Sequence, residues 1–136
     1  MRLLLVFVCS LVAIGTVSAQ PVFEFQPFSI PEDGRIVVPV QEGENFTGLA
    51  KLIDEKTNGA VAIAAREAEF VGEAQSTLTL LGALPYSRID LIGVGAESVG
   101  RVAAENFGGA AAQLLASSKG GTIQILWPNQ HLNGKK

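Results

Sequence analysis

Gly93, Gly95 and Ser98 have the best-placed chemistry in this sequence. They follow the apolar run Ile89–Val94 and precede an Ala-rich amphipathic stretch ending near Ser117. A strand, a glycine turn and a helix start, in that order, can turn backbone amides toward an anion. The strand end is also where α/β sheets often bind ligands. Gly93, Gly95 and Ser98 are therefore the anion-binding candidates. The dinucleotide spacing G-x-G-x-x-G is not met, because the next glycine, Gly100, arrives too late. No Gly-Lys-Ser or Gly-Lys-Thr exists for a phosphate loop. The incomplete motif favours a structural reading, in which the glycines allow a tight turn and a close-packed helix.

Other reactive residue types lack partners. His131 is the single histidine, in a polar tail without a carboxylate or thiol at ligand spacing. Glu67 with Glu69, and Asp54 with Glu55, are local pairs that read as solvated helix faces. Ser76, Ser87 and Ser98 lack the G-x-S-x-G setting of a nucleophile elbow. Asn45-Phe46-Thr47 is formally a glycosylation sequon. No residue is assigned a catalytic, cofactor-binding or metal-binding role.

The elements that would position these residues follow from periodicity. Arg35–Val40 is β-branched and suits a buried strand, with Pro39 near the strand's end or on an edge. Phe46, Leu49, Ala50 and Ile53 recur at helical spacing, and Asn58-Gly59 is a strong helix stop. Val61, Ala64, Ala65 and Ala68 mark a second short helix. Thr77–Leu81 is a strand, Gly82–Ser87 a connection, and Ile89–Val94 a central strand. The long helix carries Val99, Ala103, Phe107, Ala110 and Leu114 on one face, with Ser98 as its N-cap. Gly108-Gly109 falls mid-helix, where such a pair permits close packing; Gly120-Gly121 ends the helix. Thr122–Trp127 is a fourth strand, ended by Pro128. The order β-α-α-β-β-α-β predicts an α/β fold with a mixed sheet flanked by helices. The last crossover should be a parallel βαβ unit, and the short link before Ile89 should join antiparallel neighbours.

Before this body come two other segments. Residues 1–19 have a basic start, an apolar run and Val17-Ser18-Ala19, the pattern of a cleaved signal peptide. The run is too short for a comfortable membrane span. The expected location is exported, periplasmic or secreted, with no membrane attachment after cleavage. Cleavage would also remove Arg2 and Cys9, the only cysteine, so no disulfide is expected. Residues 20–33 form a Pro- and Phe-rich linker whose Phe23, Phe25 and Phe28 are expected to lie against the body. The net charge of −3 lacks the clustered Lys and Arg of a nucleic-acid footprint. Residues 34–128 form one domain and 129–136 a tail.

From Gly34 to Pro128 the chain resembles the N-terminal domain of the leucyl aminopeptidases, the M17 metallopeptidase family. The resemblance rests on the opening strand Arg35–Val40, the Phe70-Val71-Gly72 turn and the stretch Thr77–Pro85. It rests also on the strand Asp90-Leu91-Ile92-Gly93-Val94-Gly95, the Ala-rich helix and Trp127-Pro128. The family often carries a second glycine just after the turn, where this chain has Ala74-Gln75. Most members are cytosolic, so the signal-like segment is a second departure. The resemblance implies a macro-like three-layer domain that does not carry the chemistry. Full-length members remove N-terminal amino acids with two divalent metals, zinc or manganese, held in a C-terminal domain. That domain's Asn-Thr-Asp-Ala-Glu-Gly-Arg-Leu signature is missing from this sequence. The expectation is a non-catalytic domain of an exported aminopeptidase-like protein, partnered by the catalytic domain or other subunits. The alternatives are a freestanding macro-like module for a nucleotide-like or anionic ligand, and a regulatory partner of full-length aminopeptidase.

Overall fold

The computed structural model describes residues 22–43, 45–96 and 100–128. The signal-like segment, Ser98, Val99 and the tail with His131 lie outside the described residues. Seven elements follow the predicted order: β1 (Gly34–Gln41), α1 (Gly48–Lys56), α2 (Ala60–Glu67), β2 (Thr77–Leu81), β3 (Tyr86–Gly95), α3 (Arg101–Ser117) and β4 (Gln124–Ile125). The sheet order is β2-β3-β1-β4, with β2 antiparallel to β3 and the pairs β1–β3 and β1–β4 parallel. The sheet is mixed, as its sequence pattern implies.

Side chains alternate across a strand, so each central strand feeds two cores. Ile36, Val38, Val40, Ile89 and Leu91 pack on one face against Leu49, Ala50, Ile53 and Val61 of α1 and α2. Val37, Ile92 and Val94 pack on the other against Ala103, Phe107 and Ala111 of α3. Helices thus cover both faces, in three layers.

Several expectations are corrected. β3 begins at Tyr86, so the connection after β2 is shorter than Gly82–Ser87. β4 runs parallel to β3, as the crossover predicts, with β1 lying between them. β4 is also much shorter than Thr122–Trp127. Its pairing covers Ile36 and Val37, and Leu126 N then donates to Val37 O (2.9 Å). The next residue of β1 facing β4 is Pro39, which has no N–H to continue the ladder. Pro39 thus sits near the end of a central strand, with its missing donor turned past the end of β4.

Phe23 and Phe25 do not lie against the body: they are 63% and 98% exposed, and Phe28 is only partly covered. Prolines keep this segment extended, and its anchoring falls on the residues after it. Ile30 packs on the α1/α2-side core, Pro31 O accepts from Tyr86 Oη (2.9 Å), and Glu32 pairs with Lys56 (3.5 Å). Gly108 and Gly109 do not mediate close packing either. A Cβ at either would meet nothing within 4 Å, since Ala103, Phe107 and Ala111 carry the contact face.

Candidate functional site

The candidate site lies at the C-terminal ends of β1 and β3, where parallel strands of an α/β sheet can receive a ligand. Here the segment from Phe70 to Ser76, which joins α2 to β2, crosses those ends as a strap. Gly93 N donates to Ser76 O (2.8 Å) and Gly95 N to Gly72 O (3.1 Å). Gln75 N returns a bond to Gly93 O (3.0 Å), and Gly43 N donates to Val71 O (3.0 Å). Both candidate amides that the structure describes are therefore occupied by the chain's own carbonyls. Ser98, the third candidate, lies outside the described residues.

The glycines make this approach possible. A Cβ on Gly93 would overlap Glu73 O and Ser76 Oγ and come within 2.6 Å of Gly72 C. Gly72 has φ +80°, and a Cβ there would lie 2.8 Å from Gln41 O. The register between β1 and β3 slips at Val94, so Val40 faces Gly93 while Gln41 faces Gly95. Such a bulge re-aims the strand end. Gln41 Nε2 then donates to Ala96 O (2.8 Å), tying β1 to the residue after β3. Gln75 adopts φ +67°. That region is disfavoured for a residue with a Cβ. Its side-chain amide bonds Asn106 Oδ1 of α3 (3.2 Å).

Two shallow depressions flank the strap. One, about 250 Å³, is lined by Glu69, Phe70, Glu73 and Leu78 among others. The second, about 310 Å³, is lined by Gln75, Thr77, Glu105, Asn106 and Gln113, over Gly109 and Ala110. Their charged linings are carboxylates, with no lysine or arginine, which is the wrong sign for an anion.

The other residues singled out from sequence are not brought together. Glu55, Glu67, Glu69 and Ser87 are exposed. Asp54 Oδ1 accepts from Ala62 N (2.7 Å) in the first turn of α2, a capping role. Ser76 Oγ donates to Glu73 O within the strap. Asn45 is exposed just before α1. Among the described residues, no three His, Cys, Asp or Glu side chains are placed to share a metal ion, and no helix is long and apolar enough to cross a membrane.

One polar cluster was not anticipated. Asp90 is 3% exposed and accepts from Arg88 Nε (2.8 Å), Arg88 Nη2 (2.9 Å) and Thr79 Oγ1. The paired carboxylate raises the Arg88 guanidinium above its ordinary pKa, so it stays charged. The signal was Arg-x-Asp at strand spacing, which puts both side chains on one face. The cluster fastens β2 to β3. The Tyr86 phenol is likewise fully buried; burial first, and the Glu32 carboxylate second, push its pKa above 10.0.

Comparison with known proteins places this geometry. Residues 37–136 match the model of the cytosol aminopeptidase family, N-terminal domain. A probable cytosol aminopeptidase of Cupriavidus pinatubonensis is 37% identical over 65 residues, which is 46% of this chain and 13% of that protein. The solved structure of a mutant tomato leucine aminopeptidase superposes with a TM-score of 0.52 at 24% identity, over 69% of this chain and 20% of that one. The chain thus spans only a small part of the length of either protein.

Proposed function

The chain belongs to the cytosol aminopeptidase family through its N-terminal domain, and from that premise we propose that it is a non-catalytic structural or assembly domain of an exported leucyl aminopeptidase-like protein. One observation carries the non-catalytic reading: the sheet end that would receive a ligand is closed by the Phe70–Ser76 strap, and the Gly93 and Gly95 amides are bonded to it. The reacting metals of the full-length family are implied to sit in the C-terminal domain. The described residues offer no set of ligands that fits a metal pair, so no step of peptide hydrolysis is assigned to this chain. Its contribution is an α/β body that a catalytic domain or neighbouring subunits can dock against.

The test is a leucine-amide hydrolysis assay on the purified chain with added manganese or zinc, run beside a co-purification with full-length aminopeptidase. No turnover, together with co-purification, is the expected result. Turnover by the chain alone would overturn the non-catalytic reading. Export is tested separately: mass spectrometry of exported protein should find Gln20 at the new N-terminus, and retained Met1 would sink that part.

A further inference from the structure

β2 is an edge strand: among the described residues, only β3 pairs with it. Its hydrogen bonds show which groups face outward. Gly82 N donates to Ser87 O (3.0 Å), and Ser76 O accepts from Gly93 N (2.8 Å). Main-chain groups of alternate residues point to opposite sides of a strand. The even-numbered residues therefore turn toward β3, and Thr77, Thr79 and Leu81 turn their N–H and C=O away from it. These three residues are exposed, Leu81 at 75%.

Natural edge strands are usually guarded by charge, proline or a covering segment. The strand itself carries neither charge nor proline: from Ala74 to Ser87 there is no charged residue, and the one proline, Pro85, lies in the turn beyond it; among the described residues, its outward side chains are uncovered. Within the strand itself, an antiparallel copy therefore brings no charged side chain against another, while the carboxylates Glu69, Glu73 and Glu105 line the depressions beside its first residues. The strand is also self-complementary. An antiparallel copy centred on Thr79 sets Thr79 against Thr79, and Thr77 against Leu81 of the other copy. Every outward-facing residue then meets another outward-facing residue, and each facing pair can exchange both N–H···O bonds. On the helix-covered face the same register sets half-buried Leu78 beside Leu80 of the second copy, extending the core formed with α1 and α2.

We propose that the β2 edge is the pairing surface for a second copy of this chain, joining two four-stranded sheets across a two-fold axis. This rests on the assembly role proposed above and gives it a surface. The pairing is isologous, as a two-fold contact must be.

The experiment is sedimentation velocity of the purified chain over a concentration series, with amide hydrogen exchange at both ends of the series. The chain should pass from monomer to dimer as concentration rises. Protection should be gained at the amides of Thr77, Thr79 and Leu81, with little change at Leu78 and Leu80. The double variants Thr77→Lys with Leu81→Lys, and Thr77→Glu with Leu81→Glu, should each be monomeric with unchanged circular dichroism. Mixed in equal amounts, they should recover a dimer, because the register sets lysines of one copy opposite glutamates of the other. A chain that stays monomeric throughout, or dimerises without protecting those three amides, overturns the proposal. So do charge variants that dimerise alone. A chain that stays monomeric but still co-purifies with full-length aminopeptidase overturns the edge pairing and leaves the assembly role standing.

Discussion

Gly93 has no room for a side chain, because the strap carbonyls and Ser76 Oγ already occupy that space. Gly93→Ala should therefore destabilise the fold by about 1–3 kcal/mol, the range for overpacking a tight site. Urea unfolding measures the loss, and exchange at the Gly95 and Gln75 amides should show that the strap has lifted. An unchanged midpoint would mean that the strap is not held closely there. Tyr86 gives a pH prediction. Its folded pKa is raised above the ordinary phenol value by burial, and its neutral hydroxyl donates to Pro31 O. Its contribution is complete below about pH 10 and is lost as pH rises from there through the raised folded value. Tyr86→Phe should be less sensitive to alkaline pH than the wild type. Tyr86 is the only tyrosine, so tyrosinate absorbance reads its titration directly. At this scale the glycines of the Gly93-Val94-Gly95 stretch were legible as special from sequence. What they approach was not, because Glu73 and Ser76 are distant in the chain.

The long helix shows the limit of local reasoning about elements. Its apolar spacing identified Ala103 and Phe107 as buried, because a helix facing a sheet must hide one stripe. The same reasoning gave Gly108-Gly109 a packing role that the structure does not support. Periodicity locates the face of a helix, but the distance to its neighbour is a tertiary quantity. Gly108→Ala and Gly109→Ala should each stabilise the fold by about 0.5–1 kcal/mol, since neither residue needs the freedom that glycine brings. Thermal unfolding checks this, and a loss of stability would show a contact on the outer face of α3. The fourth strand is a similar case. Its composition supported Thr122–Trp127, but a ladder needs donors on its neighbour, and Pro39 of β1 withholds one. Residues 22–33 carry no helix or strand, in keeping with their dense proline. Their attachment passed to Ile30, which packs on the core, and Pro31, which accepts from Tyr86 Oη, contacts that no local pattern announces.

Across the whole molecule, β1 and β3 each supply residues to both cores. Neither helical layer can leave without exposing strands on which the other depends, so the chain should unfold as one unit. Trp127, the only tryptophan, lies 5.0 Å from Phe107 and reports the α3 side. Its fluorescence transition in urea should coincide with the far-ultraviolet circular dichroism transition. Separated midpoints would mean that the α3 layer melts independently. The order of elements, the mixed sheet and the family were determined by the sequence alone. Each depends on local periodicity, on turn residues, or on motif order along the chain. The closure of the strand ends, the Arg88–Thr79 pairing with buried Asp90 and, among the described residues, the unpaired β2 edge were decided only by tertiary structure. Each depends on which distant segments come to lie side by side, and hydrophobic spacing within one segment carries no record of its neighbour.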